Sequence, residues 1–547
     1  MNLNRLSSCS AIGLLLLPAP LAGQCPTEKL VPGDLGFDDD FGFAVAVSGD
    51  TALVGAPLHG VPPGEVASSG AVYVFERAGT DWLQTAELHA SDAAPGDAFG
   101  SDVALQGDRA LIGAWGDDEL RGAAYVFERT AGVWAQTDKL VAADGEVADG
   151  FGLTVALDGD VALVGAFGDD DLGIQSGAAY LFARTPAQGW VQTDKLTSPD
   201  GGAFDEFGSD VALGGGTLVV GAERDSEPAF STGSAYVYVL GVTGPLLQQK
   251  LTAASGAANH FFGSAVALEG DTAVIGAPAS DTFGPGAGQA HVFQRSGTVW
   301  LEVQVLSAGD TPPLAAFGAA LALDGDVLLV GAPDDGLLGP EPGSGSAYVF
   351  DRVGGVWQQR TKLVAPDAGA FDNFGAAAAL SGDDLFVGAP AVALIEFGSG
   401  GTEGVYAYSA SGTACPPLFA APASLSVADG GAQQLALQPG AAFAGHLHLL
   451  LGSASGTLPG VVVGGVTLPL NPDAYLLFVL QSPGAPPLSG AVGNIDAAGT
   501  AQAAFSLPAG SPPFLAGLGL HHAYLLFDPV ALAPSLASNP EPLLLTP

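Results

Sequence analysis

Phe151-Gly152 opens a stretch that runs through Gly165-Ala166-Phe167 to Gly177-Ala178-Ala179-Tyr180-Leu181-Phe182, and the chain repeats this pattern seven times. The first glycines of the copies are Gly42, Gly100, Gly152, Gly208, Gly263, Gly318 and Gly375. Their partners are Gly55, Gly113, Gly165, Gly221, Gly276, Gly331 and Gly388, each 13 residues further on, while the whole repeat varies from 52 to 58. A constant inner spacing inside a variable outer one describes a rigid hairpin joined by tolerant loops.

Each copy holds four β-like segments. In the second and third copies, segment A is Val103-Ala104-Leu105 or Val155-Ala156-Leu157, and a Gly107-Asp108 or Gly159-Asp160 turn follows. Segment B runs from Ala110 to Gly113 or Val161 to Gly165 and ends in an acidic loop. Segment C is Ala123 to Arg129 or Ala178 to Arg184, and D opens on Trp134 or Trp190 and closes on Lys139-Leu140 or Lys195-Leu196. Short alternating runs rich in Val, Leu, Tyr and Phe between Gly-Asp turns are the hairpin signature. Four antiparallel strands repeated seven times predict an all-β fold, a seven-bladed β-propeller.

Gly55-Ala56-Pro57, Gly276-Ala277-Pro278, Gly331-Ala332-Pro333 and Gly388-Ala389-Pro390 follow the Phe-Gly pairs, and Gly70 to Phe75 reads Gly-Ala-Val-Tyr-Val-Phe. Over residues 27–410 this resembles the FG-GAP repeat, the family that includes the propeller of integrin α-subunits and many bacterial exported proteins. Integrin-like repeats often insert a calcium loop of the form Asp-x-Asn-x-Asp-Gly-x-x-Asp between A and B. Here only turns such as Ser48-Gly49-Asp50-Thr51 stand there, so the family's calcium sites do not carry over.

The seventh copy has A, B and C, ending at Tyr406-Ala407-Tyr408, but no D. Thr27-Glu28-Lys29-Leu30 is a spare D placed before the first copy, so it is expected to complete blade 7 and remove the open edge. The C–D pairing would then bring Cys25 and Cys415 together as a disulfide. Export is the expected context: Arg5, the apolar run Ala11 to Leu17 and the small residues from Ala19 to Gly23 read as a signal peptide over residues 1–23. The run is too short for a permanent membrane span. The domains expected after it are a propeller over 25–415 and a small β-sandwich-like region over 418–547. In that last region His446, His448, His521 and His522 are read as core or surface histidines rather than a zinc set.

With 57 acidic against 15 basic residues the formal charge is −42, which excludes nucleic acid and anionic lipid as partners. Ten of the basic residues recur at fixed places: Lys29, Lys139, Lys195, Lys250 and Lys362 at the end of D, and Arg77, Arg129, Arg184, Arg295 and Arg352 at the end of C. They are read as blade-packing charges, the arginines pairing with Gly-Asp turn acids such as Asp108 and Asp160. The remaining acids converge on the opposite rim. Asp39, Asp97, Asp149, Asp205 and Asp372 come from D–A connectors, and Asp117, Asp118, Asp169, Asp170, Asp334 and Asp335 from B–C loops. Clustered carboxylates suit a hard cation, so this rim is the candidate Ca²⁺ or cationic-partner face, the alternative being a solvated acidic face that maintains solubility. No Ser-His-Asp order, nucleotide loop or unrepeated acid pair marks a catalytic site. The expected function is a secreted, non-enzymatic binding or surface-structural protein contacting protein or glycan through its loops. An exported hydrolase or lyase with a site at the central opening is the alternative.

Overall fold

The computed structural model describes residues 26–409 apart from 37–38, 61–67, 80, 228, 255, 311, 337–342, 366–370 and 391–402, and beyond 417 it describes the backbone of the strands. Blade 2 shows the unit: Val103–Gln106, Arg109–Ala114, Ala123–Thr130 and Val133–Leu140, strands A to D, pair antiparallel in chain order. Blades 1, 3, 4, 5 and 6 repeat that order. Strand A of every blade lies beside strand A of the next, so the seven A strands surround the axis and D forms the perimeter. Blade 7 takes Ala377–Ser381, Asp384–Ala389 and Gly404–Ser409 as A to C, and its D is the N-terminal Glu28–Leu30. Glu28 pairs with Ala407, Lys29 with Tyr406 and Leu30 with Val405. The seven blades and the closing strand therefore stand as expected.

The invariant 13-residue spacing has a direct cause. The N–H of the first glycine donates to the carbonyl of the second within a blade, as from Gly100 to Gly113 at 2.8 Å. The second glycine then abuts the next blade's first glycine. A Cβ on Gly113 would lie 1.9 Å from the Gly152 carbonyl oxygen, and one on Gly388 would lie 2.1 Å from that of Gly42, across the closure. The first glycines sit near φ +94°, a conformation side chains oppose. Both positions thus demand glycine, one for its backbone angle and one for close approach.

Packing between blades repeats as well. Each Phe of the Phe-Gly pair is fully buried and meets the C-strand aromatic edge-on, for example Phe99 on Tyr125 at 5.5 Å between ring centres. Burial of such a ring contributes roughly 1.5–3 kcal/mol, with about 0.5–1.5 more from the edge contact. In blades 1–6 a bulge interrupts the C–D register, at Val126/Phe127 in blade 2. The extra residue reverses the alternation along D. Trp134 therefore joins the core shared with blade 1, while Leu140 joins the core shared with blade 3. One outer strand pins two neighbours.

The strands beyond residue 417 pair into a four-stranded and a six-stranded sheet, with one further two-stranded pair. The sandwich expected over 418–547 and the histidines there concern side chains outside the described residues, as do the signal segment 1–23, Cys25 and Cys415.

Candidate binding face

Strand direction alternates, so each blade has two ends. One carries the A–B turns and C–D loops, the other the B–C loops and D–A connectors. On the first, the arginines that end strand C take the partners expected from sequence: Arg129 reaches Asp108 at 2.7 Å, Arg295 reaches Asp271 at 2.6 Å and Arg352 reaches Asp326 at 2.6 Å. Each also reaches back into the preceding blade. Arg129 binds Glu76 and Thr51 of blade 1, Arg295 binds Thr217 of blade 4, and Arg77 binds Asp384 of blade 7. Their guanidinium groups lie over the tryptophans that open D, 5.2 Å from the ring centre for Arg129 and Trp134.

The second end is the expected acidic rim, and here the structure changes the reading. The rim acids and the D-strand lysines had been placed in separate groups; they form one motif. Asp117 accepts from Tyr125 Oη and from Lys139 Nζ at 2.8 Å. Asp169 holds Tyr180 and Lys195, Asp225 holds Tyr236 and Lys250, and Asp335 holds Tyr348 and Lys362. The ammonium lies over the tyrosine ring, 5.2 Å from its centre in all four blades. A second carboxylate, unmarked in the sequence reading, completes each clamp: Asp92, Asp144, Asp200 and Asp310. Burial alone would raise Asp200, but hydrogen bonds from Lys250, Tyr236 and Ser198 outweigh it and hold the carboxyl at about 2. Asp92 and Asp144 are lowered in the same way, by Lys139 with Tyr125 and by Lys195 with Tyr180.

The connector acids Asp39, Asp97, Asp149 and Asp205 are buried beside these clamps. Each accepts the backbone N–H three residues earlier, as Asp97 does from Ala94 at 2.6 Å. Burial raises Asp97, Asp149 and Asp205, and the nearby Asp117, Asp169 and Asp225 carboxylates raise them further. Asp372 is also buried, and burial raises the half-buried Asp334. Asp118 and Asp170 are the rim acids that face solvent. Among the described residues no group of three or more His, Cys, Asp or Glu side chains is arranged around a metal-sized point.

What the loops present outward is apolar. Ile174 and Phe204 meet at the junction of blades 3 and 4, where Phe204 N donates to the Ile174 carbonyl at 2.7 Å. Phe230 stands at the next junction, and Phe283 and Leu314 at the one after. Their exposures reach 71% for Phe230, 61% for Ile174 and 58% for Phe283. In blade 2 Asp118, Glu119 and Leu120 all take left-handed backbone angles, φ 49°, 61° and 69°, which lifts Leu120 to the surface at a cost of order 1–3 kcal/mol per residue. A recess of about 440 Å³ lies beside them, lined by Asp92, Asp97, Asp117, Arg121, Lys139 and Val141 among others. These apolar tips lie in the variable loops, where no repeat makes them visible in the sequence.

At the axis, Asp102 and Asp210 occupy equivalent places on the A strands of blades 2 and 4. Each accepts its next residue's N–H and an N–H of the following blade, from Val155 at 2.6 Å and Val266 at 2.6 Å. Burial outweighs these bonds and pushes the two carboxyls up to about 7 and about 8, Asp102 adding to the effect at Asp210.

A seven-bladed ring of four-stranded sheets, locked at paired glycines and carrying its B–C loops and D–A connectors on one face, defines a class of propeller. The family model described as FG-GAP repeat matches the chain seven times, at residues 26–75, 82–127, 134–182, 190–238, 246–293, 300–350 and 357–407. The chain belongs to the FG-GAP repeat family. No curated protein matches it significantly. Among the described residues no helix is long and apolar enough to cross a membrane.

Proposed function

We propose that this is a secreted, non-enzymatic binding or surface-structural protein that contacts a protein or glycan partner through its B–C and D–A loops. The observation that carries the reading is the set of exposed apolar tips at successive blade junctions, set on a surface of strong negative charge. Exposed apolar patches rimmed by polar groups mark contact sites, and anchors of this kind dominate interface energy. The charge favours a partner with a basic surface. Loops on a closed ring are held without further ordering, which lowers the entropic cost of association.

The test is an array of extracellular matrix proteins and glycans probed with the mature chain. Triple substitution Ile174→Ala, Phe230→Ala, Phe283→Ala is expected to remove at least about tenfold in affinity for any ligand found, since each hot-spot anchor carries roughly 1–2 kcal/mol or more. Unchanged affinity places the contact elsewhere. The calcium-assisted form of this reading rests on the exposed Asp118 and Asp170, because Asp117, Asp169 and Asp335 hold lysine and Asp334 is half-buried. Calorimetric titration to millimolar calcium decides it: a flat thermogram removes the ion. The hydrolase or lyase alternative draws on Asp102 and Asp210, two carboxyls of raised proton affinity at the axis. All four oxygens accept backbone N–H groups, one of each pair from the next residue and the other from the following blade, which favours a structural duty. Turnover in a hydrolase panel, lost in Asp210→Asn, would restore the enzyme reading.

A further inference from the structure

Blade 1 carries the clamp with its charges exchanged. His59 stands four residues after Gly55, where blades 2, 3, 4 and 6 hold Asp117, Asp169, Asp225 and Asp335. Glu87 pairs across from Tyr73, where those blades set Lys139, Lys195, Lys250 and Lys362 against their tyrosines. His59 Nδ1 lies 2.8 Å from Asp39 Oδ2, and its Nε2 lies 3.5 Å from Glu87 Oε1. The ring is buried, and that Nε2 has no hydrogen-bond partner among the described residues. Tyr73 Oη approaches the imidazole at 3.4 Å, and His89 Nε2 shares Glu87 Oε1 at 3.0 Å. Asp34 reaches the same tyrosine from the connector.

The place matters as much as the chemistry. Asp39 belongs to the segment that leads from the closing strand Glu28–Leu30 into blade 1. Blade 7 holds the same segment from the other side, where Phe41 N donates to Glu403 Oε2 at 3.0 Å. Among the described residues the closing strand itself pairs over three residues. Whatever fixes the connector fixes the closure.

We propose that the seam between blades 7 and 1 is a proton-dependent latch, with the buried His59 cation bridging Asp39 and Glu87 when the seam is tight. The imidazole is the side chain that loses its proton between pH 5 and 8, whereas a lysine clamp keeps its charge through that range. Once neutral, with Nδ1–H given to Asp39, His59 turns a lone pair toward a carboxylate oxygen. Two acceptors then face each other without water, which is costly in a buried place. Glu403 works in the same direction. Burial, opposed by the Phe41 N–H and reinforced by Asp40 and Asp39, pushes it up to about 7. A carboxyl raised by folding supports the fold below its unfolded value and withdraws that support as pH climbs through 7. Rising pH therefore removes a positive charge and adds a negative one at a single seam.

Hydrogen exchange on the full chain tests this, with intrinsic rates corrected for pH. Amides of residues 28–30 and 404–408 are expected to open at least about tenfold more readily at pH 8 than at pH 5.5, a factor that the raised proton affinity of Glu403 alone can carry, while blade 3 stays level. The double variant His59→Asp, Glu87→Lys rebuilds the clamp of blades 2–4 and is expected to shrink the pH response to the part that Glu403 supplies. An equal response in wild type and double variant, or none in wild type, overturns the latch. Should the double variant not fold, His59→Gln carries the test: a smaller pH response supports the latch and an unchanged one overturns it.

Discussion

The two faces of the ring use their few cations in opposite ways. On the turn face each arginine is partly exposed and reaches into the preceding blade, so its contacts join neighbours. On the loop face each lysine is drawn under its own blade's B–C loop, between that loop's carboxylate, a tyrosine and a second carboxylate from the connector entering the blade, so its contacts fix both loops to one sheet. The arginine fork suits bridging between fixed points, and the compact ammonium suits a small polar pocket. One face is built to hold the ring together. The other is built to hold loops still, which is what a contact surface needs.

The contrast presumes a closed ring, and the strongest blow falls on that premise. Gly113→Ala places a Cβ against the Gly152 carbonyl oxygen, backbone against backbone, and is expected to cost more than about 4 kcal/mol or to prevent folding, read by chemical denaturation. Next comes the loop face itself. Asp117→Ala removes one of the two carboxylates on the Tyr125 hydroxyl and half of the Lys139 clamp, and a loss of about 2–3 kcal/mol is expected, with loosening confined to the loop of blade 2 by hydrogen exchange. On the turn face Arg129→Ala removes a partly exposed bridge and its stacking on Trp134. It is expected to cost about 1–2 kcal/mol, and to loosen the boundary of blades 1 and 2 rather than any loop. Reversal of those two exchange patterns would undo the comparison.

Acid sharpens it further. The depressed carboxyls Asp92, Asp144 and Asp200 lend stability that is complete above the unfolded value of roughly 4 and disappears as pH falls toward 2. The raised Asp97, Asp149 and Asp205 act in the other direction, losing their contribution as pH rises through and above that value. Melting of wild type is therefore expected to drop between pH 4.5 and pH 2.5, and Asp200→Asn is expected to shrink the drop measurably but modestly. The smallest effect belongs to Asp108→Ala on the turn face, an exposed partner worth about 0–1 kcal/mol.

Much of the ring could be read before its coordinates. The paired glycines are legible because seven copies of one backbone constraint leave seven copies of one residue at one spacing. The spare D segment is legible because Thr27-Glu28-Lys29-Leu30 copies Thr137-Asp138-Lys139-Leu140. The arginine pairs follow from strand direction alone. The lysine clamps do not, because Asp117 and Lys139 are far apart in sequence and meet only after the bulge in D and the turn of the B–C loop bring them together. Their repetition was visible, and the sequence reading assigned it to separate causes. Phe230 and Ile174 were invisible for the opposite reason: they occur once each, in loops whose length varies. The expected disulfide of Cys25 with Cys415 lies outside the described residues. Mass mapping of the unreduced chain is expected to find the bridge, and two alkylatable thiols would refute it.

The order in which the chain is made sets a consequence for the closing strand. Glu28–Leu30 is synthesised before any blade and finds its partner only after Gly404–Ser409 exists, so the earliest strand of the ring is the last to dock. Until then blades 1 to 6 can zip up one on another while blade 7 keeps a bare edge. The nascent protein therefore carries an unprotected strand through most of its assembly, and the arrival of its own beginning is the event that ends its exposure to foreign pairing.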